Sequence, residues 1–124
     1  MVLKEHVEGF ADFEKKAEEY KDKQIFVLFS GSVDAEGKNW CPDCVAADPV
    51  ITKNVSNIPD EAVFIHCGVG GRDYWKDKNN DFRTSPKLKL KSVPTLMNLA
   101  QPNNRLEEGQ CADESLVNML FQDD

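Results

Sequence analysis

The sequence predicts an α/β fold, a β-sheet covered by helices on both faces, and three observations carry that prediction. Two runs, Gln24–Ser30 and Ala62–Val69, are apolar on successive residues instead of alternating, the mark of strands buried on both faces. Amphipathic patterns of helical period alternate with these runs. Trp40-Cys41-Pro42-Asp43-Cys44 falls where the first run gives way, through a polar loop, to a helix.

Size and charge narrow the field. A chain of 124 residues, 40% apolar, buries one core, so residues 1–124 are expected to form a single domain. Fifteen Lys and Arg against 22 Asp and Glu give a net charge of -7, and no basic run exceeds two residues. Phosphate backbones and anionic membranes are therefore poor partners. Met1, Val2 and Leu3 before Lys4 and Glu5 are too few for a signal-peptide core, and no stretch approaches transmembrane length, so the expected location is cytoplasmic. In a reducing compartment a close pair among four cysteines points to catalysis or metal binding before structural cross-linking.

The elements follow in order. After an opening strand, Phe10, Phe13, Ala17 and Tyr20 recur at helical spacing among Glu and Lys, which predicts an amphipathic first helix. Gln24–Ser30 is the expected central strand, and the Gly-containing stretch 31–39 is a loop. Pro42 suits the first position of a helix running toward Val55, because its missing N–H is one that no helix uses there. Ala62–Val69 is a second buried strand, punctuated by Gly70-Gly71, and Tyr74–Ser85 is a mixed aromatic and charged segment, helical or irregular. Val93–Leu99 and Arg105–Glu108 read as a hairpin joined through Gln101-Pro102-Asn103-Asn104. Asp113 is the expected N-cap of a last helix whose apolar side is Leu116, Val117, Leu120 and Phe121.

A Cys-x-x-Cys pair opening a helix places both sulfurs on its first turn, where they can switch between dithiol and disulfide without moving the rest of the fold. Unpaired backbone N–H groups and the helix dipole at that end favour a thiolate. Cys41 is accordingly the expected nucleophile, with a lowered pKa and solvent access beside Trp40. Cys44, one turn in and more enclosed, is the expected resolving residue, holding its proton until a mixed disulfide forms. The Asp43 carboxylate suits the first turn but repels a nearby thiolate; direct contacts from backbone donors are expected to outweigh it.

Trp40-Cys41-Pro42-Asp43-Cys44 followed downstream by Val93-Pro94-Thr95 resembles the thioredoxin family, in which the second motif's proline is cis and faces the redox pair. The loop 31–39, together with Tyr74-Trp75-Lys76-Asp77 and Asn79-Asn80-Asp81-Phe82-Arg83, resembles a small thioredoxin-related branch of that family over essentially the whole chain. The resemblance implies a thioredoxin-like fold, a central mixed β-sheet flanked by helices on both faces. It implies a protein-disulfide reductase that binds no cofactor and is recharged by thioredoxin reductase with electrons from NADPH; a monomer is expected from the acidic single domain. Small disulfides such as cystine and selected protein thiols are the implied substrates, with peroxide reduction as a further activity. The implied substrate-binding residues are Trp40, a flat apolar wall, Pro42 and Asp43 between the cysteines, Val93, whose backbone would pair with an extended substrate, and Pro94, which shields the sulfurs from metals.

Two features depart from ordinary thioredoxins. No ionisable residue occurs from Gln24 to Val33, and Leu28 stands near the position where thioredoxins bury an acid. Proton transfer to or from Cys44 then falls to water or Asp43, with His66 a remote third. The stretches 31–39 and 70–91 are also long for this family, and both are placed to flank the site or simply to cap the sheet. Elsewhere the plainer readings win. Zinc wants four ligands, and no second Cys-x-x-Cys or His-x-x-x-His accompanies the first, so no metal is expected. Cys67 in an apolar strand reads as a small buried hydrophobe and Cys111 as a structural thiol; His6 and His66 read as packed or exposed. Tyr74, Trp75 and Phe82 read as core, and Asp77 and Asp81 as solvated or capping acids. A different class of function is a redox-sensitive adaptor, in which the dithiol gates partner binding without turnover.

Overall fold

The computed structural model describes residues 2–122. Its centre is set by the most apolar strand: β2 (Ile25–Ser30) is buried at all of its residues and occupies the middle of a five-stranded sheet ordered β1-β3-β2-β4-β5. β1 (Leu3–Glu8) and β2 both run parallel to β3 (Val63–Gly68), whereas β4 (Thr95–Asn98) and β5 (Gln101–Glu107) are antiparallel. Parallel pairing needs crossovers, and these are α1 (Phe10–Glu19), leading to β2, and α2 (Pro42–Asn54), leading to β3. Two short helices, α3 (Arg72–Lys76) and α4 (Asp81–Thr84), and the terminal α5 (Glu114–Gln122) complete the set, with single 3-10 turns at Val55–Asn57 and Glu108–Ala112. The mixed sheet with helices on both faces is the expected fold class.

Alternation along β2 divides the core in two. Ile25, Val27 and Phe29 pack with Phe13, Trp75 and Phe82 on one face; Phe26 and Leu28 pack with Ala47 and Ile51 of α2 and Val117, Leu120 and Phe121 of α5 on the other. Edge-to-face rings lock each layer, Phe29 against Phe13 at 5.2 Å and Phe26 against Phe121 at 5.5 Å between centroids. Each such burial stabilises by about 2 kcal/mol. Cys41 and Cys44 belong to the first layer, so the redox motif is continuous with packed core.

The hairpin differs from expectation. Gln101–Asn104 is not its connection but the first half of β5, and the turn is Leu99-Ala100, with Asn98 paired to Gln101. The Asn98 side chain accounts for this, since its Oδ1 accepts from Ala100 N at 3.1 Å, while Leu99 N donates to Ile25 O at 2.8 Å. Pro102 is tolerated because β5 is an edge strand. The Asp113 cap is present: its Oδ1 accepts from Ser115 N and Leu116 N at 3.0 and 3.2 Å. In the mixed segment Trp75 and Phe82 are core, while Tyr74 is exposed. Buried Asn80 ties the segment together through Nδ2 to Trp75 O and Asp77 O, both at 2.9 Å, and the Arg83 guanidinium lies 4.1 Å over the Trp75 ring.

Candidate active site

The site forms where β2 ends and α2 begins. Cys41 is the N-cap of α2 in extended backbone and Pro42 its first residue, so the amides of the first turn are free to point at a sulfur. Cys44 N donates to Cys41 Sγ at 3.2 Å. Gly31 N, just past β2, donates to Cys44 Sγ at 3.4 Å. Both cysteines are free thiols. Burial, followed by the hydrogen bond to Cys41, pushes the Cys44 thiol from 9.0 up to about 12, against the Ser30 hydroxyl and the Gly31 amide, which favour its thiolate.

Access is tighter than the sequence suggests. Cys41 is only 5% exposed, so the solvent access expected beside Trp40 is small. Three contacts close it. Cys41 Sγ lies 3.6 Å from Val93 O, beside the cis Val93–Pro94 bond. Trp40 is half-buried and held by its Nε1, which donates to Gly70 O at 3.0 Å. Asn39 Oδ1 accepts from Cys41 N at 2.9 Å. Pro42 and Asp43 are exposed on the outer side of the turn. Motif, Val93 and Pro94 thus come together at one end of the sheet.

The two long loops flank the site and are bound to each other: Ser32 N donates to Gly70 O at 3.0 Å and Gly70 N to Ser32 Oγ at 2.8 Å. Asp34 Oδ1 closes the first loop's turn by accepting from Glu36 N and Lys38 N. Four residues not singled out from sequence as site residues carry this frame: Ser30, Gly31, Asn39 and Gly70. Gly31 must lack a side chain, since a Cβ there would meet Asn39 Oδ1 at 2.6 Å and Trp40 Cε2 at 2.8 Å. Asn39 Nδ2 donates to Gly31 O at 2.8 Å and Ser30 Oγ at 3.2 Å. The available signal was Ser30 itself, a polar residue closing an apolar run, because a buried hydroxyl needs partners.

The remaining candidates lie apart from this frame or beneath it. Leu28 is buried, in register with His66 of β3 and Leu96 of β4, and packs in the layer with α2 and α5. The His66 ring faces His6, Nδ1 to Nδ1 at 3.0 Å, and approaches Asp48 Oδ1 at 3.5 Å. Cys67 is buried with its Sγ donating to Gly68 O at 3.7 Å. Cys111 is buried against Leu106 O and Pro94 O at 3.4 and 3.6 Å. Among the described residues no group of three or more His, Cys, Asp or Glu is placed to hold a metal ion, and no helix is long and apolar enough to cross a membrane.

A mixed sheet with a Cys-x-x-Cys turn at the end of its central strand, facing a proline that precedes the antiparallel hairpin, defines a thiol oxidoreductase of the thioredoxin class. The chain belongs to the thioredoxin domain-containing protein 17-like family, whose thioredoxin-domain profile matches residues 6–123. Thioredoxin domain-containing protein 17 of Mus musculus is 50% identical over 116 residues, covering 94% of this chain and 92% of that one. Its Homo sapiens counterpart is 48% identical over 118 residues, covering 95% and 94%. Among solved structures, reduced Schistosoma mansoni thioredoxin superposes with a TM-score of 0.59 at 15% identity, covering 95% of this chain and 98% of that one, which shows the fold.

Proposed function

We propose that the protein is a cytoplasmic, monomeric disulfide reductase that works through Cys41 and Cys44. Thioredoxin reductase recharges it with electrons from NADPH, and it acts on small disulfides such as cystine and on selected protein disulfides. Peroxide reduction is a secondary activity of the same dithiol. The observation that carries this reading is the pair of backbone donors aimed at the two sulfurs, Cys44 N at Cys41 and Gly31 N at Cys44. Such donors stabilise a thiolate more than a thiol.

In the proposed cycle the Cys41 thiolate attacks one sulfur of the substrate, expelling the other as a thiolate. Cys44 then attacks Cys41, the internal disulfide forms, and the second substrate thiol leaves. Val93, whose carbonyl already meets Cys41 Sγ, supplies backbone groups for an extended substrate. Trp40 and Pro94 wall the approach. Two buried cysteines and a rim tied by Ser32, Gly70 and Trp40 favour compact disulfides that reach Cys41 without opening the rim.

A multiple-turnover assay with thioredoxin reductase, NADPH and cystine tests the reading. Steady NADPH consumption, linear in protein concentration, is expected. A single stoichiometric oxidation followed by arrest would instead identify a redox-gated adaptor.

A further inference from the structure

The rim of the site hangs on a glycine. Gly70 O accepts the Trp40 indole N–H and Ser32 N, both at 3.0 Å, while Gly70 N donates to Ser32 Oγ at 2.8 Å. Its φ of 97° lies in the region that glycine favours, and glycine gives up more conformational freedom on being fixed than any other residue. Whatever holds Ser32 therefore holds the wall beside Cys41.

That hold comes from the far edge of the sheet. Glu8 ends β1 and stands in one register row with Gly68 of β3 and Ser30 of β2. Gly68 leaves the row open, because a Cβ there would collide with the Glu8 carboxylate, which leans across β3. Glu8 Oε1 accepts from Ser32 Oγ at 2.6 Å, and Oε2 meets His6 Nε2 at 2.6 Å. A hydroxyl has one proton, and committing it to Glu8 turns the oxygen lone pairs of Ser32 toward Gly70 N. None of these bonds touches a sulfur.

Resting on the reductase reading, we propose that Glu8 is a positioning residue that sets the size of disulfide the site admits: through Ser32 and Gly70 it keeps the Trp40 wall closed beside Cys41. A compact disulfide passes the closed rim, whereas a bulky one waits for the rim to open, so its rate follows the population of the open form. Releasing Glu8 raises that population and leaves the thiol chemistry of Cys41 as it was.

Maleimides of two sizes read the rim directly. Cys41 keeps 5% exposure where the other cysteines have none, and N-ethylmaleimide and fluorescein maleimide share one reactive group. The ratio of their rates at Cys41, with the attachment site checked by peptide mass, therefore reports admission and not nucleophilicity. Glu8→Ala should raise the fluorescein-to-ethyl ratio by about fivefold, the contribution of one ordinary hydrogen bond, because half exposure of the carboxylate removes the charge-assisted excess. Glu8→Gln keeps a carbonyl oxygen for the Ser32 hydroxyl and should stay within about twofold of the unsubstituted protein. Ser32→Ala should shift the ratio at least as far as Glu8→Ala, and combining the two should add less than about twofold, since both break one chain of contacts. Reductase-coupled turnover of insulin relative to cystine should rise in the same order.

A maleimide ratio unmoved by Glu8→Ala, a Glu8→Gln protein as open as Glu8→Ala, or fully additive shifts in the double variant would overturn the assignment. So would a raised maleimide ratio with no gain for insulin over cystine. Absence of cystine turnover in the unsubstituted protein would overturn the reductase reading instead, a separate failure, and the maleimide ratios still decide whether Glu8 holds the rim.

Discussion

Cys41 and Cys44 at the end of the sheet are 5% and 0% exposed, and Cys67 in β3 and Cys111 in the 3-10 turn after β5 are both 0% exposed, so accessible area does not distinguish the redox pair from the other two thiols. Their neighbours do, in part. Each sulfur of the pair accepts a backbone N–H at a change of chain direction, from Cys44 N and Gly31 N, although Cys41 Sγ also meets one carbonyl, Val93 O at 3.6 Å. Cys67 Sγ donates to the carbonyl of Gly68, and Cys111 Sγ to those of Pro94 and Leu106. Carbonyl acceptors favour the thiol, amide donors the thiolate. Burial pushes Cys67 up and Cys111 up to about 12, in the latter case despite an amide from Leu96. Cys44 is raised as far, yet it has a second sulfur one helical turn away. A hidden thiol is chemically useful when its thiolate has donors and an electrophilic partner to attack.

The largest test of that contrast is exchange of the cysteines. Cys41→Ser should reduce reductase-coupled turnover of cystine to background. Cys44→Ser should also lose turnover while accumulating substrate on Cys41 as a mixed disulfide, visible by intact mass. Trapping on Cys44 in Cys41→Ser, with none in the converse variant, would reverse the roles.

Alkaline pH is the next lever. Three buried thiols have folded-state values above 9.0, so the folded protein favours the neutral forms. Their contribution to stability is full below the unfolded-chain value and is lost as pH rises through it toward the folded values. Urea midpoints should be flat below about pH 8 and fall steadily above it, a range set by the ordinary thiol pKa. A midpoint that rises over the same range would contradict the burial argument.

Truncating the interior thiols should separate packing from chemistry. Cys67→Ala and Cys111→Ala are each expected to cost about 1 kcal/mol in denaturant unfolding, with cystine turnover retained. If either abolished turnover in a folded protein, the division between the two regions would be wrong. The smallest effect belongs to Asp43→Asn. Its exposed carboxylate is screened by water, so alkylation of Cys41 should accelerate by about twofold at low salt and less at high salt. A slower reaction would mean that Asp43 assists the thiolate instead of repelling it.

Much of this was legible along the chain. The uninterrupted apolar run of β2, the proline at the first position of α2 and the cysteine spacing are local signals, and each element formed where its pattern lies. Local signals failed at Gln101–Asn104, where a Pro-Asn-Asn stretch reads as a turn. The Asn98 side chain closed a tighter turn two residues earlier, and edge-strand pairing absorbed the rest. Ser30 and Asn39 escaped notice because neither carries a reactive group; their importance comes from partners brought by the loop.

By itself the sequence determined the class of chemistry, since a Cys-x-x-Cys pair at a helix start follows from composition and spacing alone. It also determined the α/β class, because strand and helix periods are written in consecutive residues. Tertiary structure decided which sulfur meets Val93, that Trp40 is anchored on Gly70, and that the Gly31 amide reaches the Cys44 sulfur. Those contacts join residues far apart in the chain. Their existence depends on sheet order and loop closure, which residue patterns along one segment do not specify, and on packing that lets only glycine fit at position 31.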